Sequence, residues 1–263
     1  MPIITSVDGE QIFYEIVGDS DISLIPIGGW GTPTGREMWK YQLPFASSYK
    51  LVLIDLTGYG RSSKNRKNFT MQSWGYDIKS VVEKLDLNNI ILIGQSMGGP
   101  IILEAEKLIS SRTLGLILVD SLFPNSFYNQ VDEEIIKQKL KPFEENFLES
   151  WTNLVNSLIT DKINPVDVKM FEKTSHQLDQ HTIISSQREF LRWEMNDILP
   201  EINKPIKCIV AGKTLPEDEE REAYNKLFDT HYIEDSGHIM MFEDPDKFNE
   251  ILENRIHELL INI

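Results

Sequence analysis

The chain has 263 residues, 41% of them hydrophobic and 25% charged, with a formal net charge of −15 at neutral pH. This composition excludes a disordered or low-complexity chain, and the length fits one large domain or one core that carries an insertion. The acidic balance argues against nucleic acid or an anionic membrane as partner, because neutralising phosphate needs basic surface.

The opening reads as a hairpin: residues 3–7 and 11–17 are β-rich runs on either side of Asp8-Gly9, a tight-turn pair. Short apolar runs follow at 23–27, ending in Gly28-Gly29, and at 50–56, ending near Gly58. Residues 71–85 place Trp74, Ile78, Val81, Val82 and Leu85 at helical spacing. A fifth strand over 89–93 runs straight into Gly94, a helix over 100–109 follows, and a sixth strand over 114–119 ends at Asp120.

From about 122 to 200 the rhythm changes. No strand is evident there, and amphipathic stretches at 133–140, 147–159 and 187–198 predict a mostly helical insertion. Its aromatic residues include Phe123, Phe127, Tyr128, Trp151, Phe171, Phe190 and Trp193, and its junction with the core is where a ligand pocket is expected. A seventh strand over 206–211 ends at Gly212, and a weaker eighth spans 231–234. A last helix over 245–260 starts with Asp244 as N-cap and Pro245 at the first helical position. Buried strands alternating with helices predict an α/β fold with a mostly parallel sheet, the core being 1–121 and 201–263 and the insertion 122–200.

Gly94-Gln95-Ser96-Met97-Gly98 matches G-x-S-x-G. Placed between a strand and a helix, the pattern forces a sharp turn that lifts the serine oxygen clear of the sheet, above a helix N-terminus that favours negative charge. A serine hydroxyl needs a base to become a nucleophile at neutral pH. Of five histidines, His238 lies in Asp235-Ser236-Gly237-His238, a loop following the eighth strand and so at the same sheet edge as Ser96. The base in turn needs a carboxylate. Asp120, at the end of the sixth strand, is preferred, and Glu217, after the seventh, is the alternative acid. Oxyanion donors are expected from the backbone N–H groups of Met97 and Trp30, the latter in the glycine-rich loop after the third strand. Trp30, Gln95 and Phe123 are expected to bind substrate.

Together these segments resemble the α/β-hydrolase superfamily over nearly the whole chain. Ile25-Pro26-Ile27-Gly28-Gly29-Trp30-Gly31 resembles the family's His-Gly-X oxyanion loop, with Gly28 where histidine is common. Asp55-Leu56-Thr57-Gly58-Tyr59-Gly60-Arg61-Ser62 resembles its D-x-x-G-x-G-x-S segment, Gly94 to Gly99 its nucleophile elbow, and Gly237-His238 followed by Glu243-Asp244-Pro245 its histidine loop. The resemblance implies eight strands with the second antiparallel, a helical cap between strands six and seven, and a Ser–acid–His triad. The family's usual acid follows strand seven as G-x-x-D, but Leu215 stands at that position here. Some members carry the acid after strand six, which agrees with Asp120.

Other motifs fail. Gly212-Lys213-Thr214 lacks the upstream glycine of a phosphate loop, since position 207 is lysine, and no dinucleotide fingerprint or metal-binding histidine set occurs. The single cysteine, Cys208, excludes an intrachain disulfide and reads as a buried thiol in an apolar strand. Residues 1–10 lack a signal-peptide pattern, and no apolar run approaches the ~18–20 residues of a membrane span. The expectation is a cytoplasmic serine hydrolase without cofactor or metal, monomer or homodimer, cleaving a small or medium ester, lactone or thioester. A ligand receptor with little turnover, a C–C hydrolase and a cofactor-free perhydrolase remain alternatives on the same fold.

Overall fold

The computed structural model describes residues 2–123, 131–215 and 217–261. Phe127 and Tyr128 lie outside the described residues. The chain opens with strands β1 (Ile3–Thr5) and β2 (Gln11–Val17), paired antiparallel around a turn in which Gly9 has φ +90°. β3 (Ser23–Ile27), helix α1 (Gly35–Met38), a 3₁₀ stretch (Lys40–Ser47), β4 (Lys50–Asp55), α2 (Met71–Lys84), β5 (Ile90–Gln95), α3 (Gly98–Ile109) and β6 (Thr113–Val119) follow. Between β6 and β7 the described helices are α4 (Glu133–Glu145), α5 (Phe147–Leu158), α6 (Pro165–Ser175), α7 (Gln180–Arg192) and α8 (Met195–Ile198). The chain closes with β7 (Ile206–Ala211), α9 (Asp218–Asn225), β8 (Asp229–Ile233), α10 (Met240–Glu243) and α11 (Pro245–Ile261).

All eight strands form one sheet in the order β1-β2-β4-β3-β5-β6-β7-β8. β2 is antiparallel to both neighbours, and the pairs from β4 to β8 are parallel. The loops after β3, β5, β6, β7 and β8 therefore emerge at one edge. Neighbouring residues of the central strands serve opposite faces, as the period of two requires. Ile25, Leu92 and Leu116 pack with Trp74, Ile78, Ile101 and Ile102 of α2 and α3. Leu24, Ile91 and Ile117 pack with Trp39 and with Phe248, Leu252 and Leu259 of α11. With both faces covered, the central strands are near-continuous apolar runs, and each fully buried Leu or Ile contributes about 1.5–3 kcal/mol relative to exposure.

The segment after β4 is structural. Asp55 accepts hydrogen bonds from Gly35 N–H (2.9 Å) and from Arg61 N–H and Nε (3.0 and 2.9 Å), and Ser62 Oγ donates to the Asp55 carbonyl (2.5 Å). Gly60 leaves room for this knot, because a Cβ there would lie 2.4 Å from Asp55 Oδ2. Nearby, Arg66 is buried against α2, with Nη2 2.7 Å and Nη1 2.9 Å from the two Asp77 oxygens and Nε 2.9 Å from Asp8. The loop is thus fastened to both the first hairpin and α2.

The sequence stretch 187–198 is divided rather than continuous. α7 begins earlier, at Gln180, because Asp179 caps it by accepting from Thr182 N–H (2.8 Å). It ends at Arg192, where Trp193 and Glu194 turn to extended backbone and the Trp193 indole donates to Glu104 of α3 (2.9 Å). Further polar links join these helices to the core: Tyr41 Oη and Lys40 Nζ to buried Asp167 of α6, and Thr160 Oγ1 to Glu243 (2.8 Å). Among the described residues, no helix is long and apolar enough to cross a membrane.

Replacing Arg66 leaves Asp77 buried without its cation, so Arg66→Met is expected to lower unfolding free energy by about 3–5 kcal/mol in urea titration.

Candidate functional site

The turn from β5 into α3 is held by contacts that only glycine permits. A Cβ on Gly98 would stand 2.6 Å from the Ile27 carbonyl oxygen, so α3 starts pressed against the end of β3. Between them Ser96 adopts φ +54°, a left-handed conformation that strains a non-glycine residue by about 1–3 kcal/mol. The surroundings fix it: Ser96 N–H donates to Val119 O (3.0 Å), and Ser121 Oγ donates to Ser96 O (2.5 Å). The half-buried serine side chain therefore faces outward above the N-terminus of α3.

Asp120 follows β6 with φ +47° and is fully buried. Its Oδ1 accepts from Ala211 N–H (2.8 Å), and its Oδ2 accepts from Thr214 Oγ1 (2.8 Å) and lies 2.6 Å from His238 Nδ1. A carboxylate only accepts, so Nδ1 carries the proton and Nε2 is the accepting nitrogen of the ring. Nε2 lies 3.3 Å from the Gln95 amide nitrogen, which also donates to the His238 carbonyl (3.3 Å). No hydrogen bond joins Ser96 Oγ to His238 in this conformation. The loop bearing His238 is stapled by Glu243, which accepts from Gly237 N–H (2.9 Å) and Ser236 Oγ (3.0 Å).

Asp120 and His238 are thus brought together, whereas Glu217 is not. Glu217 sits at the N-terminal cap of α9, while the turn after β7 places the Thr214 hydroxyl, not a carboxylate, on Asp120 (2.8 Å). Of the other histidines, His231 lies in β8, His257 in α11, His176 at the end of α6 and His181 against Phe69, none of them in the Ser96 cavity. Thr214, Ser121 and Glu243 are supporting residues that sequence reasoning missed. The only sequence signals were the altered G-x-x-D turn for Thr214 and the Glu-Asp-Pro run for Glu243.

The loop after β3 explains the missing family histidine. A side chain at Gly28 would meet Thr32 Oγ1 at 2.5 Å, and that hydroxyl instead donates to Gly29 O (3.1 Å). Gly31, with φ +64°, donates its N–H to Tyr59 Oη (3.4 Å), a phenol that burial pushes up to about 12 and so keeps neutral. Among the described residues, neither the Trp30 nor the Met97 N–H donates a hydrogen bond within the protein. The Trp30 side chain is anchored where it lines the site: Nε1 donates to Ile183 O of α7 (3.0 Å), and the ring meets Trp151 edge-on with centroids 4.8 Å apart.

A cavity of about 260 Å³ lies over Ser96. Its floor is Gly29 to Thr32, Gln95, Ser96, Met97, His238 and Ile239, and its roof is Trp151, Leu154, Val155, Leu158 and Ile159 with Phe171, Gln187 and Phe190. No Asp, Glu, Lys or Arg is among these lining residues. Phe123 is not among them either: its ring rests on Tyr224, centroids 5.8 Å apart, so this expected contact is corrected. The Cys208 thiol is buried and pushed up to about 12, which leaves it inert as a nucleophile. Among the described residues, no group of three His, Cys, Asp or Glu side chains is placed to hold a metal ion.

A model of the alpha/beta hydrolase family matches residues 24–251. The chain belongs to the alpha/beta hydrolase family. One similar protein, the Karrikin insensitive 2 receptor CA of Petunia hybrida, is 20% identical over 92% of this chain and 94% of its own. A non-heme chloroperoxidase of Burkholderia pyrrocinia is 35% identical over 38% of this chain and 36% of its own. Among solved structures, an esterase from Exiguobacterium antarcticum superposes with a TM-score of 0.84 at 23% identity, covering 97% of this chain and 98% of that one. These structural likenesses establish the fold of this hydrolase-family chain.

A proton spectrum is expected to show a downfield imidazole N–H resonance that disappears in Asp120→Asn and His238→Gln and survives Glu217→Gln. Loss in Glu217→Gln alone would move the partnership to Glu217.

Proposed function

We propose that this protein is a serine hydrolase that cleaves a small, neutral carboxylic ester, lactone or thioester through an acyl-enzyme on Ser96. The observation that carries the reading is the 2.6 Å contact of His238 Nδ1 with buried Asp120 at the mouth of the Ser96 turn. Ser96 Oγ attacks the carbonyl carbon while its proton passes to His238 Nε2, once the Gln95 amide yields that lone pair. Asp120 holds the ring and offsets the charge it gains. The N–H groups of Met97 and Trp30 receive the oxyanion. Collapse of the tetrahedral intermediate breaks the bond to the leaving group, which takes the proton from His238. Water then attacks the acyl carbon, with His238 as base, and releases the acid and free Ser96. No cofactor enters this sequence.

Residues 122–200 act in this proposal as a helical cap over the core, 1–121 and 201–263, with the small-molecule substrate between them. The uncharged lining supports a neutral substrate despite the chain's net charge of −15. A second reading, ligand binding with little turnover, is favoured by one observation: His238 Nε2 meets Gln95 rather than Ser96.

Intact mass after treatment with a fluorophosphonate tests the first reading. One stoichiometric adduct is expected on the native chain and none on Ser96→Ala; no adduct on either folded protein would favour the binding reading. With an ester that turns over, Asp120→Asn is expected to lower kcat by ~10³–10⁴-fold. Near-native kcat there would remove Asp120 from the mechanism.

A further inference from the structure

The polar side chains around the cavity are nearly all committed to the protein. Thr32 Oγ1 is given to Gly29 O, the Trp30 indole N–H to Ile183 O, the Gln95 amide to His238, and His238 Nδ1 to Asp120. Gln187 differs. Its side chain lines the cavity, yet its Oε1 is buried and has no hydrogen-bond partner among the described residues. An acceptor stripped of water and given no donor is rare in a folded interior and asks for an explanation.

Its placement supplies one. Gln187 lies on α7 one turn before Phe190, which lines the same cavity, and one turn after Ile183, whose carbonyl holds the Trp30 indole. The helix is therefore fixed against the floor of the site. Leu154, Leu158 and Phe190 line the same cavity and offer no side-chain donor. The terminal torsion of glutamine is broad and two-fold, so the amide can turn either end toward an occupant. A hydroxyl both donates and accepts, and is thus the group that either end can take. A carboxylate or ammonium in that place would lose its hydration with no charged lining residue to offset the loss.

We propose that Gln187 determines substrate specificity by hydrogen bonding a hydroxyl on the substrate, so that the site selects compact, neutral, hydroxyl-bearing esters over their deoxy analogues. This deepens the reading of the cavity as the substrate site and rests on it. A cavity of about 260 Å³ suits a compact, single-ring ester. Trp30, Trp151, Phe171 and Phe190 make the walls suited to an aryl ring.

The test reads binding rather than turnover. Methyl phenylacetate and its ortho-, meta- and para-hydroxy derivatives are titrated calorimetrically into Ser96→Ala and into Ser96→Ala combined with Gln187→Leu. At least one hydroxy isomer is expected to bind Ser96→Ala roughly tenfold tighter than the parent, the scale of one hydrogen bond to an otherwise unpaired buried group. In the Gln187→Leu background that advantage should fall below about twofold, while the parent's affinity stays within about threefold. Gln187→Met, unbranched like glutamine, repeats the comparison should Leu perturb folding. Equal affinities of all four esters for Ser96→Ala, a preference that survives both substitutions, or no binding of any ester would each overturn the assignment. A failed preference in a chain whose native Ser96 still takes the fluorophosphonate overturns the Gln187 role alone. A preference present without labelling overturns hydrolysis alone.

Discussion

A carboxylate sealed from water must find donors inside the protein, and Asp120 finds them on three segments. Ala211 N–H lies at the end of β7, Thr214 Oγ1 in the turn after it, and His238 Nδ1 beyond β8, at separations of 91, 94 and 118 residues. Stranding such a group would be worth several kcal/mol of destabilisation. The parallel pairing of β6, β7 and β8 brings the carboxyl ends of these strands to one edge, where the three donors converge. The orientation of the imidazole is thus a consequence of solvating a buried acid, and not a separate device.

The serine turn depends on the same edge. Its left-handed residue persists because Val119, Ser121 and the packed glycines over-determine it. The support continues outward: Tyr224 Oη donates to Ser121 O (2.7 Å), and the Phe123 ring lies on Tyr224. An aromatic residue whose sequence position invited a role in the pocket instead backs the turn that presents Ser96. Strain at the site is held by a chain of ordinary packing and hydrogen bonds behind it.

The cavity shows why overall charge says little about local chemistry. A chain with a net charge of −15 encloses a space lined only by uncharged side chains and one imidazole. Away from this space, buried charges are paired within the frame where Arg66 meets Asp77 and Lys40 meets Asp167. The helices above Ser96 are held to the core by hydrogen bonds from Trp30, Trp193, Tyr41 and Thr160. Shape and a few uncommitted polar atoms are what remain to select a ligand.

Features carried by a few adjacent residues were legible in the sequence. The Asp8-Gly9 turn, the apolar runs of the central strands, the Asp244-Pro245 helix start and the G-x-S-x-G turn each encode a local backbone state or a burial period, and Ser96 and His238 followed from their places at strand ends. Asp120 was legible only as one of two candidates, because its selection over Glu217 depends on which carboxylate the β7 turn leaves beside the imidazole. The division of residues 187–198 turned on the Trp193 bond to Glu104 on a distant helix. The anchoring of the Trp30 indole, the retreat of Phe123 and the Gln187 oxygen left without a partner among the described residues were likewise decided by tertiary structure alone. Local sequence fixes dihedral preferences and hydrophobic period, whereas the partner of a polar or aromatic side chain is set by long-range packing, which brings together groups more than a hundred residues apart.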